Sequence, residues 1–161
     1  MVLAARREAP LRATESLVSD RGVASLVLAA DVTREADCES IVERCLDRFG
    51  QLDVLINNAG SPGTDMAVSE MTLANWHETL AVNLTGPMLL SRAALCRAML
   101  PAGRGNIQFC SSMAATQVRP RKAHYAAAKM GLVPLTETLA REVGEHGIRV
   151  NCLMIGLVAG D

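Results

Sequence analysis

Short apolar runs alternate with longer stretches whose apolar residues recur at helical spacing, and this alternation predicts strands and helices in turn along the whole chain. Val2-Leu3-Ala4-Ala5 reads as a strand, and residues 10–18 as the helix after it. Residues 24–30 follow as a second strand, then residues 35–49 as an amphipathic helix with Ile41, Val42, Cys45 and Leu46 on one side. Leu52-Asp53-Val54-Leu55-Ile56 is a third strand, ended by the polar Asn57-Asn58 and by Gly60. A loop with Pro62 and Gly63 leads into a long helical stretch over residues 73–100, interrupted near Asn83 and Gly86-Pro87. Residues 106–110 read as a strand, residues 122–145 as a helix kinked at Pro134, and residues 148–154 as the last strand.

Such alternation implies an α/β fold, a parallel sheet with helices on both faces. Crossovers between parallel strands are right-handed, so the loops at the carboxyl ends of the strands gather along one edge. Asp31, Asn58 to Gly60, Ser111-Ser112 and Gly156 all stand at such ends. A site is expected there.

At 161 residues the chain is long enough for one domain and short for two. Half of it is hydrophobic but only 2% aromatic, so the core must be built from Ala, Val, Leu, Ile and Met. A net charge of -1 with dispersed basic residues gives no electrostatic basis for binding nucleic acid or an anionic membrane. No apolar run approaches a membrane span, and Arg6 and Arg7 follow only a very short apolar stretch, the reverse of a signal peptide. A cytoplasmic protein is expected. Cys38, Cys45, Cys96, Cys110 and Cys152 are odd in number and far apart, which suits small buried side chains in a reducing compartment and no metal site.

The candidate chemistry lies at Ser112, Tyr125 and Lys129. Tyr125 and Lys129 are one helical turn apart and share a face, so the ammonium can sit beneath the phenol and favour its ionised form. That makes a usable proton donor of a side chain whose ordinary pKa is ~10. A tyrosine and a lysine at this spacing occur on many helices. Here Ser112 precedes them, Asn57-Asn58-Ala59-Gly60 follows a strand, Asn83 sits in Val-Asn-Leu-Thr-Gly, and Asp31-Val32-Thr33 lies near the start. Together, from the first residue to the last, these motifs resemble the short-chain dehydrogenase/reductase family.

The resemblance implies a Rossmann-like doubly wound sheet and an oxidoreductase that interconverts a carbonyl and a secondary alcohol. By the same resemblance Tyr125 exchanges the proton with the substrate oxygen, and Lys129 lowers the tyrosine's pKa and holds the nicotinamide ribose. Ser112 hydrogen-bonds the carbonyl oxygen, and Asn83 holds a water that connects Lys129 to solvent. Asp31 and Val32 resemble the family's adenine contact, Asn58, Ala59 and Gly60 the wall beside the adenine ribose, and Gly156 and Val158 further cofactor contacts. Family members that prefer NAD carry a carboxylate where the second strand ends; Ala5 stands there, followed by Arg6 and Arg7. A guanidinium suits the 2′-phosphate, so NADP is expected over NAD, with Arg6 as its contact. The expected partners are a small carbonyl or alcohol substrate and further copies of the chain, joined as a homo-oligomer through the two long helices. Ser111 reads as a strand-end hydroxyl bonded to backbone. His124 points away from its neighbour Tyr125, and Arg119, Arg121 and Lys122 form a solvated loop.

The pattern departs from the family at both ends. Met1 stands where the family's second strand begins, so the first strand and the glycine-rich turn that receives the pyrophosphate are absent from this sequence. The final edge strand is absent too. Since the first strand belongs in the middle of the sheet, two strand edges are expected to face a gap, with unsatisfied buried groups at ~1–3 kcal/mol each. Ile155 replaces a usual proline before Gly156, and Ala115 a common glycine after the serine pair. The expected molecule is one incomplete NAD(P)-binding domain over residues 1–161. The alternative to an enzyme is a catalytically silent fragment that acts through helix-mediated association.

Overall fold

The structure, a computed structural model, describes residues 1–156. In chain order the elements are β1 (Val2–Ala5), α1 (Glu8–Ser19), β2 (Leu26–Ala29), α2 (Glu35–Phe49) and β3 (Val54–Asn57). A long helical run over residues 73–102, α3, follows, then β4 (Gly105–Ser112), α4 (Ala123–Val143) and β5 (Ile148–Ile155).

Helix α2 shows how closely sequence and structure agree where the signals are local. Cys38, Ile41, Val42 and Cys45 are its buried face, Glu35 and Asp37 occupy the first turn, and Arg48 lies in the last, as the helix dipole favours. Gly50 closes it in the left-handed conformation, φ 72, where a side chain would be strained.

Helix α3 starts at Thr72, whose hydroxyl accepts from the Asn75 amide at 3.2 Å. The interruption expected near Asn83 is a widening: the helix continues through a π-turn at Ala81–Thr85, and Pro87 opens the segment Gly86–Ala94 that follows. A second π-turn, Leu95–Met99, carries no comparable sequence mark. α4 runs on through Pro134 without a break.

All strand pairs are parallel, but they form two sheets where one was expected. β1 pairs with β2, from Val2 opposite Leu26 to Ala5 opposite Ala29, while the second sheet has the order β3-β4-β5. No described strand lies between β1 and β3, so their facing edges border a cavity of about 750 Å³ lined by Val2, Ala4, Val54 and Ile56, with Val42 and Leu90 behind them. Ile56 is 60% exposed there. The core lies with the three-stranded sheet, where Ile107, Phe109 and Ile148 pack with Met99 of α3 and Leu132 of α4. α2 packs on α3, reinforced by surface ion pairs of Arg92 with Glu35 and of Arg97 with Glu39 and Glu43.

Because every pairing is parallel, the carboxyl ends of the strands share one edge of each sheet. Asp31 follows β2, Asn58 to Gly60 follow β3, Ser112 ends β4 and Gly156 follows β5. None of the described helices is long and apolar enough to cross a membrane.

Candidate active site

A cleft of about 270 Å³ opens at the carboxyl ends of β3, β4 and β5, and Ser112, Tyr125 and Lys129 all line it, with Gly60 and Gly156. The local folding that brings them together is visible residue by residue. β4 carries on to Ser112, beyond the expected end at Cys110, paired to β5 with Ser111 opposite Met154 and Ser112 opposite Ile155, and the Ser111 hydroxyl donates to the backbone carbonyl of Lys129 at 2.7 Å. Ser112, half-buried, caps the next turn by accepting from the Ala114 amide at 3.2 Å, which leaves its own proton to give.

Lys129 is buried, only 5% exposed, one turn after Tyr125 on α4. Its ammonium donates to the carbonyl oxygen of Cys110 at 2.8 Å and stands 5.8 Å from the centroid of the Tyr125 ring. Burial pushes its pKa below the ordinary lysine value. Burial also pushes the thiol of Cys110 up, so this cysteine is a neutral wall of the cleft.

Asn83 lies behind the cleft. Fully buried in the π-turn of α3, it donates to the carbonyls of Ser61 and Thr79, both at 2.8 Å, and accepts from the Ser61 amide at 3.2 Å. These bonds hold the loop after β3. Three backbone groups thus take up the Asn83 side chain. Gly60 separates it from Lys129, since a Cβ at Gly60 would stand 3.0 Å from Asn83 Oδ1 and 3.2 Å from Lys129 Nζ.

Three of the residues assigned to the far end of a cofactor lie along the other cavity. Val32, Asn58 and Ala59 line the gap between the sheets, and Asn58 also borders the smaller cleft, so the two spaces meet at that residue. Asp31 Oδ1 accepts from the Thr33 amide at 3.0 Å and the Thr33 hydroxyl at 2.8 Å. These bonds, the backbone one foremost, hold its carboxyl below the usual range, helped by Arg6 and Arg34. Arg6 is exposed just after β1, on the same side as Asp31. Val158 lies outside the described residues.

Four participants escaped the sequence reading. The Cys110 carbonyl has no sequence mark, because every residue carries one. Ser61 had a signal, its place directly after Asn58-Ala59-Gly60. Arg121 and Lys122, read as solvated, are tied down: the Met66 amide donates to the Arg121 carbonyl at 3.0 Å, Arg121 reaches Glu70 at 3.5 Å, and Lys122 pairs with Asp65.

The family model described as short chain dehydrogenase matches residues 1–161. The chain belongs to that family. Among curated relatives of this short-chain dehydrogenase is glucose 1-dehydrogenase 2 of Bacillus subtilis (strain 168), 34% identical over 146 residues, a match covering 91% of this chain and 57% of that protein. Another is momilactone A synthase of Oryza sativa subsp. japonica, 42% identical over 140 residues, covering 86% of this chain and 51% of that protein. The solved structure of NAD+-bound xylitol dehydrogenase superposes with a TM-score of 0.94 at 29% identity, covering 99% of this chain and 61% of that one. The chain thus spans between about half and three fifths of the length of these relatives. The Rossmann-like fold and the oxidoreductase family are established by these matches, and the chain is an incomplete member.

Proposed function

We propose that this chain carries the acid-base centre of an NADP-dependent oxidoreductase that interconverts a carbonyl and a secondary alcohol. One observation carries the reading: Ser112, Tyr125 and Lys129 line one cleft at the carboxyl ends of parallel strands. The donor set there suits the nicotinamide end of a cofactor. Lys129 spends one of its three N–H groups on Cys110, which leaves two for ribose hydroxyls. A bound nicotinamide supplies or accepts the hydride.

The residues of the chain do the rest. In reduction Tyr125 gives its phenolic proton to the substrate oxygen, and in oxidation it takes the proton back. Lys129, fixed near the ring, stabilises the negative charge left on the phenol oxygen. The Ser112 hydroxyl donates to the substrate oxygen and orients it. Asn83 is a positioning residue, acting through the backbone of Ser61.

Arg6 supports NADP, because its guanidinium stands where the strand ends and can pair with a 2′-phosphate. The solved xylitol dehydrogenase holds NAD+, so the preference rests on Arg6 of this chain. At the pyrophosphate end, no glycine-rich turn joins a strand to a helix among the described residues.

The test uses a form extended upstream by a strand and a glycine-rich turn, mixed with NADPH or NADH and a panel of ketones and aldehydes. Loss of nicotinamide absorbance is expected with NADPH well ahead of NADH. Tyr125→Phe should abolish turnover and keep NADPH binding. Undiminished turnover by Tyr125→Phe would remove the tyrosine from the mechanism, and equal use of the two dinucleotides would remove Arg6 as selector.

A further inference from the structure

We infer that His124 is a positioning residue that sets the width of the candidate cleft by propping the loop of residues 60–66 from beneath. Its imidazole is completely buried, and among the described residues neither ring nitrogen has a hydrogen-bond partner. A packed apolar side chain would fill the same space without desolvating two polar atoms, so packing alone does not account for a histidine here.

What it faces is the loop. Gly63 sits over the ring with φ 64, and a Cβ added there would stand 2.6 Å from His124 Nε2 and 2.6 Å from Thr79 Oγ1. The Gly63 backbone therefore rests on two supports, one from α4 and one from α3. The same loop carries Ser61 and Pro62, which line the cleft together with Tyr125, the residue next to His124. On its outer side the loop is strapped to the start of α4: Lys122 Nζ reaches the Pro62 carbonyl at 3.4 Å and pairs with Asp65, and the Met66 amide donates to the Arg121 carbonyl at 3.0 Å. Strapped above and propped below, the loop has its height over Tyr125 set by the ring. An imidazole has two ring nitrogens able to hydrogen-bond, so the unpaired ring can bond the loop backbone when the loop shifts toward it. The size of substrate that fits beside Tyr125 follows from that height.

This deepens the reading of the cleft as the substrate site, and its test needs neither cofactor nor turnover. A negative result here is thereby distinct from a failure of hydride transfer. Amide hydrogen exchange at residues 61 and 63–66 is compared in the wild type, His124→Ala and His124→Gln. The alanine, which removes the prop, should speed exchange in this loop at least tenfold while residues 107–110 of β4 keep their protection. Glutamine, which returns bulk and a polar group to the ring's place, should restore the wild-type rates. Unchanged loop exchange in His124→Ala, equal acceleration along the whole chain, or no rescue by glutamine would each overturn the inference. Should the alanine variant fail to fold, the wild-type ring is read by NMR while Lys122→Ala cuts the strap. The His124 ring-nitrogen resonances should then move, and unmoved resonances would overturn the inference as well.

Discussion

Lys129 is gripped at both ends by neighbouring residues of β4: its ammonium donates to the Cys110 carbonyl at 2.8 Å, and its own carbonyl accepts from the Ser111 hydroxyl at 2.7 Å. The sheet as well as the helix therefore decides where the cation stands. A lysine on an exposed helix face would swing through several rotamers; this one is held beside Tyr125.

That burial has a pH signature. The folded-state pKa of Lys129 lies below the ordinary value of 10.5, so between the two values the unfolded chain binds a proton that the folded chain has released. Stability attributable to the residue therefore rises with pH across that window. Urea midpoints of the wild type and Lys129→Met, taken at several alkaline pH values, should show the wild type gaining on the variant as pH climbs toward 10.5. A difference that stays constant or moves the other way would contradict the assignment.

Asp31 has the opposite signature. Its carboxylate is held below the ordinary 3.8 by the Thr33 bonds, so its stabilisation is complete above 3.8 and is lost as pH falls through the depressed folded value. Asp31→Ala should lower stability by about 1 kcal/mol at neutral pH, the usual worth of such a side-chain cap. In an acid series of denaturation midpoints the two proteins should converge.

Asn83→Ala strips partners from the amide and carbonyl of Ser61 and from one bond to the Thr79 carbonyl. Each buried group left unsatisfied costs about 1–3 kcal/mol, so the total loss should reach about 3 kcal/mol and appear as a clear fall in Tm. Asn83→Asp, able to accept from Ser61 but not to donate, should also destabilise. Wild-type stability in both would show that the Ser61 loop is held by other means.

NADPH should bind this chain at least about a hundredfold more weakly than it binds the upstream-extended form. Two charge-assisted hydrogen bonds to a pyrophosphate, each ~1.5–3 kcal/mol, account for that much. Fluorescence titration of both proteins decides it, and equal affinities would mean that other groups cradle the phosphates.

What could be read from the sequence was local. The bounds of α2 are marked by periodic apolar residues and by Gly50, and Tyr125 and Lys129 announce their shared face by spacing. The reach of β4 to Ser112 was hidden, because it rests on backbone pairing with Met154 and Ile155 of β5, far along the chain. The engagement of Asn83 with Ser61 spans 22 residues and was hidden for the same reason. The burial of His124 against Gly63 depends on how a loop folds over two helices, which spacing does not encode. The gap was expected from the missing strand, but its outcome, two separate sheets, is a property of long-range pairing.

The gap also leaves β1 and β2 without a ladder to the second sheet: among the described residues they pair with each other, and side-chain packing, with bonds at the start of α2 from the Asp31 amide to Asp37 and from the Cys38 thiol to the Val32 carbonyl, joins the N-terminal portion to the rest. Warmth or mild denaturant should release that portion first, as a sub-global opening well below global unfolding. Arg6 and Asp31 ride on the weaker unit; Ser112, Tyr125 and Lys129 belong to the stronger. On the functional reading above, this protein would lose its discrimination between dinucleotides before it lost its means of moving a proton.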